Sequence, residues 1–333
     1  MKGLSEAKDI KKKYAGYPLL DLGKFIFACL IPLLHIPFGD SRVLFLLQQY
    51  VSRLGVPFFF AVSGFFLCQS VAKRGRLSAY TRYSKRIAQL LLVWMVVYSP
   101  VFYLQLKDNS ITWRHIIFLT PGYLWYLAAL LVAAVPFCFI KNRKVLYICG
   151  GILYIMGTLL GGSYSWLTGG WPSYEAVFIS TRNGVFFGLP LLCLGEIIFK
   201  EISMKDKFTR KKNWMGLLCS VIVLFAEITF VQNHARGEDC SLYLMMPVFI
   251  YFLGKILLQG DIQISKECSK YLRGTSTAIY VMQYGIILVG TRVLALFIIN
   301  QVLIGIMTLL MVIVCPCVLY YVVSKTKLST VIF

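Results

Sequence analysis

The first apolar run of this sequence, LDLGKFIFACLIPLLHI, carries Lys24 and, eleven residues on, His35. An ionisable group at membrane depth is costly and marks a functional candidate. On one continuous α-helix the two would lie roughly 16 Å apart, about three turns, on a common face. Imidazole exchanges a proton near neutral pH, so His35 suits a general base or a nucleophile. The plainer alternative is a neutral histidine hydrogen-bonded to a neighbouring helix. Lys24 can meet a phosphate, snorkel to lipid headgroups, or pair with Asp21 three residues before it.

Further charged residues interrupt other apolar runs. Arg53 lies in SRLGVPFFFAVSGFFL, Arg182 and Asn183 open a later run, and Glu227 sits in VLFAEITFVQ. With His35 they form either a set of structural ion pairs or an outer polar cavity for an anionic or polyhydroxyl group. Arg82, Lys85 and Arg86 flank the start of another run. They can hold the phosphates of a nucleotide-like cofactor, or simply set membrane orientation. No GxGxxG or P-loop pattern is present, so dinucleotide binding and ATP hydrolysis have no motif. His115 and His234 fall in loops, and no spacing among the 3 histidines suits zinc, so no metal is expected.

These residues need elements to hold them, and the composition says which. Of 333 residues, 58% are hydrophobic and 14% charged, with a mean hydropathy of +0.73. A soluble domain is about a quarter charged. The chain therefore reads as an all-α integral membrane bundle. It is a single domain over 1–333 with a short basic tail at about 1–17. About ten spans are expected, near 19–37, 46–68, 87–106, 122–140, 145–162, 183–199, 214–232, 241–258, 275–294 and 297–322.

The net charge of +20 is concentrated in alternate loops. That pattern sets orientation, puts both termini in the cytoplasm, and excludes nucleic acid as the reason for the charge. The 10 cysteines lie mostly in or beside apolar runs and act as small hydrophobes. The start MKGLSEAKDIKKK leads into the first span without a cleavage signature, so that span is expected to stay. The loop at about 162–181, rich in Gly, Ser, Trp and Tyr, can line a carbohydrate or anchor at the interface.

Several segments together resemble one family. LDLGKFIFACLIPLLH carries a basic residue and a later histidine. RLGVPFFFAVSGFFL at 53–67, YSKRI at 83–87, YLWYLAALL at 123–131, RNGVFFGLPLLCLG at 182–195 and LRGTSTAIYVMQ at 272–283 follow. In these the chain resembles the acyltransferase 3 family of multi-pass membrane O-acyltransferases, over nearly its whole length. The resemblance implies transfer of an acyl group, acetyl by default, from acyl-CoA to a hydroxyl of a cell-envelope glycan or related acceptor. It implies the bacterial cytoplasmic (inner) membrane, contact with membrane lipids, and no permanently bound cofactor.

By that resemblance His35 is the catalytic candidate. Arg53, Arg182, Glu227 and Tyr123 join it around the acyl and acceptor groups. Lys24, Arg82, Lys85 and Arg86 fall to the CoA side. Three positions depart from the family pattern: Lys24 where arginine is frequent, Tyr123 for a histidine, and Gln283 for another histidine. Tyrosine and glutamine can hydrogen-bond but cannot replace imidazole as a base. The chain also resembles the membrane half of the vancomycin-resistance serine racemases. That resemblance implies transport of a small polar molecule such as serine as the alternative function.

Overall fold

The computed structural model describes residues 16–117, 122–168, 181–203, 210–235, 240–260, 262, 264–326 and 328–333. Most of the basic tail, Arg236 and the central part of the 162–181 loop lie outside the described residues.

Every regular element described is helical. In chain order these are α1 (Pro18–Leu30), α2 (Arg42–Tyr50), α3 (Gly55–Arg74), α4 (Arg76–Val97), α5 (Ser99–Lys107) and α6 (Trp125–Phe139). There follow α7 (Arg143–Leu160), α8 (Leu189–Ser203), α9 (Arg210–His234), α10 (Met246–Gln259), α11 (Lys266–Ala295) and α12 (Gln301–Val323). Short helices lie at Trp113–Ile117, Ser165–Thr168 and Ser329–Ile332. Tight 3-10 turns lie at Ile31–Leu34, Ser52–Leu54 and Gly122–Leu124, and a π turn at Gly184–Gly188 precedes α8. Side-chain caps start several helices: Asn142, Ser265 and Asn300 accept the N–H of Val145, Cys268 and Leu303.

The expected count of about ten spans is corrected. Among the described residues, six helical runs are long and apolar enough to cross a membrane: Arg42–Arg74, Gly122–Phe139, Arg143–Leu160, Arg210–His234, Lys266–Ala295 and Gln301–Val323. The pair α4 and α5, bent by 60°, raises this to seven when taken as one span. The expected first, sixth and eighth spans hold helices of only 13, 15 and 14 residues. A full crossing needs roughly 20. Hydropathy counts apolar turn residues beside a short helix as though they belonged to it.

The first run shows the mechanism. Pro32 has no N–H to bond back along a helix, and the backbone tightens into a 3-10 turn after Leu30. His35 ends that turn, so it and Lys24 do not share one continuous α-helix.

Close backbone contact ties the centre together. A Cβ on Gly64 of α3 would sit 2.2 Å from the Leu192 carbonyl oxygen of α8. One on Gly195 would sit 2.0 Å from the Ala61 oxygen. Only glycine admits such an approach, the usual means of packing helices in lipid. Elsewhere α11 lies between α1 and α12, and Ile279, Ile287 and Val312 pack with Ala28, Leu33 and Ile36. Outward positions such as Leu310, Val314 and Val318 are exposed and apolar, as a lipid-facing surface requires. The protein is thus a multi-spanning, membrane-embedded all-α protein, consistent with the inner membrane.

Candidate functional site

The imidazole of His35 lies flat on the ring of Tyr123, with centroids 3.8 Å apart and planes at 19°. Two chain reversals create that stack. On one side, Pro32 stops α1 and presents His35 at the end of a 3-10 turn. On the other, Gly122 adopts φ +57, beside the Tyr284 ring, and turns the chain into Tyr123. A side chain at Gly122 would be strained there. Tyr123 is then fixed from α11: the Tyr280 hydroxyl donates to its carbonyl at 2.7 Å, and the Tyr284 ring meets it edge-on at 5.0 Å. The Tyr284 hydroxyl in turn donates to Gln105 at 2.9 Å. Tyr123, expected near the catalytic group, contributes its ring and its backbone oxygen.

Gln48, on α2, is a residue that the sequence reading missed. Its amide Nε2 donates to the carbonyls of Leu33, at 2.7 Å, and Ile36, at 3.1 Å. These flank His35, so one side chain clamps the turn. The last carbonyls of a helical turn lack internal partners. The adjacent Gln49 accepts from Arg53 Nε at 2.7 Å. The pair Gln48–Gln49 therefore holds the turn that carries His35 with one residue and Arg53 with the next. Two glutamines in an otherwise apolar stretch were the available signal.

Arg53 also donates to Ser241 at 3.4 Å, while Gln232 donates to Gln49 at 3.1 Å. Glu227 reaches the same 241–245 stretch but is engaged in capping. It accepts the N–H of Leu244 and Met245 at 2.6 and 2.9 Å, and the Tyr164 hydroxyl at 2.8 Å. A carboxylate at the start of α10 favours that helix end. Arg182 stands over the Trp125 ring at 5.6 Å, two residues on from Tyr123. Asn183 beside it accepts from Val185 and Phe186. The structure thus joins Arg53 and Glu227 through one segment, and His35, Tyr123 and Arg182 through another.

A second cluster lies toward the other end of α1. Lys24 bonds Asp21 at 3.1 Å, and Arg273 of α11 bonds the other carboxylate oxygen at 2.8 Å. Ser269 donates to that same oxygen. Asp21 is 1% exposed, whereas the Arg273 side chain is 47% exposed. Lys24 is also within electrostatic reach of Arg86. Arg82 and Lys85 stand exposed on the same helix as Arg86. Asp21 therefore gathers Lys24 and Arg273, an arginine of the segment LRGTSTAIYVMQ that was not among the expected site residues.

The unbroken α11 spans both clusters. Arg273 belongs to one and Tyr280 and Tyr284 to the other, seven to eleven residues apart, or roughly 10–16 Å. Among the described residues no group of three or more His, Cys, Asp or Glu could hold a metal.

The chain matches the acyltransferase domain family over residues 17–321. It belongs to that family. Among curated relatives, it is 28% identical over 247 residues to a serine/alanine racemase of Enterococcus gallinarum, covering 68% of this chain and 34% of the relative. It is 30% identical over 267 residues to an amino-acid racemase of Enterococcus faecalis, covering 74% and 36% respectively. The chain spans about a third of the length of these relatives. No solved structure gives a significant match.

Proposed function

We propose that this acyltransferase-family protein takes an acyl group, acetyl by default, from acyl-CoA and gives it to a hydroxyl of a cell-envelope glycan or related acceptor. The observation that carries the reading is the pairing of two clusters along α11. A cation group of Lys24, Arg273 and Arg86 lies on one side. A clamped imidazole lies about two to three turns further along, at Tyr123.

The cations suit the phosphates of CoA on the side that the charge pattern assigns to the cytoplasm. His35 takes the proton of the acceptor hydroxyl as its oxygen attacks the thioester carbonyl. Arg53 and Arg182 are the candidates to stabilise the oxyanion of the tetrahedral intermediate. The C–S bond then breaks, and the leaving thiolate recovers the proton from the imidazolium. An acyl-histidine relay is the covalent variant of the same scheme.

Purified protein in lipid nanodiscs, given radiolabelled acetyl-CoA and a panel of envelope glycans, tests this. Label should reach an acceptor, and His35→Ala should abolish transfer while insertion stays intact. Normal acylation by that variant would remove His35 from the mechanism.

A second reading is favoured by the relatives named as amino-acid racemases. In it the same charged layers pass a zwitterion such as serine across the membrane. Radiolabelled serine uptake into proteoliposomes, in a protein without transferase activity, would replace the first reading by this one.

A further inference from the structure

Gln283 of α11 is 1% exposed. Its Nε2 donates to the Tyr280 carbonyl at 3.1 Å. Its Oε1 is enclosed and has no hydrogen-bond partner. Exchanging the two ends of the amide would leave the nitrogen unpaired and set the oxygen against the Tyr280 carbonyl oxygen. An unpaired buried carbonyl is destabilising, and an apolar side chain of similar size avoids that cost. The interior of the bundle therefore keeps a polar group that the unliganded protein does not satisfy.

The surroundings give this oxygen a direction. Side chains three and four residues apart share a helix face. Ile279 and Ile287, one turn to either side of Gln283, pack in the core that holds Leu33 and Ile36 of the His35 turn. Tyr280 and Tyr284, about 60° and 100° round the helix from Gln283, fix Tyr123. The 3.6-residue period points Gln283 between Ile279 and Ile287, into the core that holds Leu33 and Ile36 and against which Tyr123, the ring under His35, packs.

We infer that Gln283 is a substrate-binding residue, its Oε1 accepting a hydrogen bond from a neutral O–H or N–H of the molecule that meets His35. The inference rests on the acyl-transfer reading. A neutral amide supplies an acceptor without placing a charge at membrane depth. Two sources carry the matching donor: a hydroxyl beside the one being acylated, and an amide N–H in the pantetheine arm of acyl-CoA.

Gln283→Met keeps the length of the side chain and removes both polar ends. Initial rates are measured in nanodiscs against acetyl-CoA and against the best glycan of the acceptor panel. Melting is followed without substrates. The expected result is a KM at least about 10-fold higher for one substrate, with an unliganded variant that melts no lower than wild type. A rise in the glycan KM assigns the hydroxyl. A rise in the acetyl-CoA KM assigns the pantetheine amide. Unchanged constants for both overturn the inference alone, while a wild-type protein that transfers no label overturns the acyl-transfer reading as well. If Gln283→Met does not insert, Gln283→Asn withdraws the oxygen by one methylene, and wild-type constants in that variant overturn the inference equally.

Discussion

Replacing Gln48 by methionine should slow the chemical step without weakening donor binding. The side chain keeps its reach but loses two N–H donors, at 2.7 Å to Leu33 and 3.1 Å to Ile36. Both acceptors belong to buried residues, 6% and 1% exposed, so little water can replace the amide. Each such bond is worth about 1 kcal/mol net, or about 2 kcal/mol for the pair. Each 1.36 kcal/mol is tenfold in rate, so full expression of the loss in the placement of His35 lowers kcat about 30-fold. The cation cluster around Asp21 is held by α1 and α11 and contains no contact with Gln48, so the KM for acetyl-CoA should stay within about twofold. Steady-state acetyl transfer in nanodiscs provides both constants. Gln48→Glu should do at least equal harm, since a carboxylate facing two carbonyl oxygens cannot donate. A kcat within about twofold of wild type in a correctly inserted Gln48→Met protein would refute the clamp argument.

Other expectations follow from the same contacts. Tyr123→Phe should keep transfer within about threefold, because the ring and backbone oxygen make the contacts; Tyr123→Ala should cost tenfold or more. Asp21→Asn removes a carboxylate that is 1% exposed and bonded to Lys24 and Arg273. It should lower stability by about 3 kcal/mol in a melting or denaturant series, with part regained in the Lys24→Met double variant. Gly195→Ala sets a methyl 2.0 Å from a backbone oxygen. Separating α3 and α8 to admit it should cost about 3 kcal/mol, read as a lowered Tm with no change in KM. A Gly195→Ala protein as stable as wild type would mean that the two helices pack less closely than described.

The class of the protein was legible because lipid imposes it. Long apolar runs with charge confined to loops can satisfy their backbone only as helices. His35, Lys24 and Arg53 stood out for the same reason, as ionisable groups where such groups are costly. The number of crossings was not legible. Windowed hydropathy joins α1, α8 and α10 to the apolar turns beside them, and Pro32 was read as part of a helix that it in fact ends. Glu227 was expected in an ion pair or a polar cavity, but its partners are the backbone N–H groups of Leu244 and Met245 and the Tyr164 hydroxyl. Backbone donors leave no mark in a sequence.

The chain by itself therefore determined the solvent in which it folds, its helical class, and which side chains are expensive enough to notice. Tertiary structure alone decided which of them meet. Lys24 and His35 lie on different pieces of the first run, and the separation between their clusters is set by α11 through Arg273, Tyr280 and Tyr284. Those contacts join positions about 160 to 250 residues apart in sequence. Helical period fixes a residue's neighbours only within its own helix. Between helices, the neighbours are chosen by close packing at sites such as Gly64 and Gly195, and by polar groups that must find partners where there is no water.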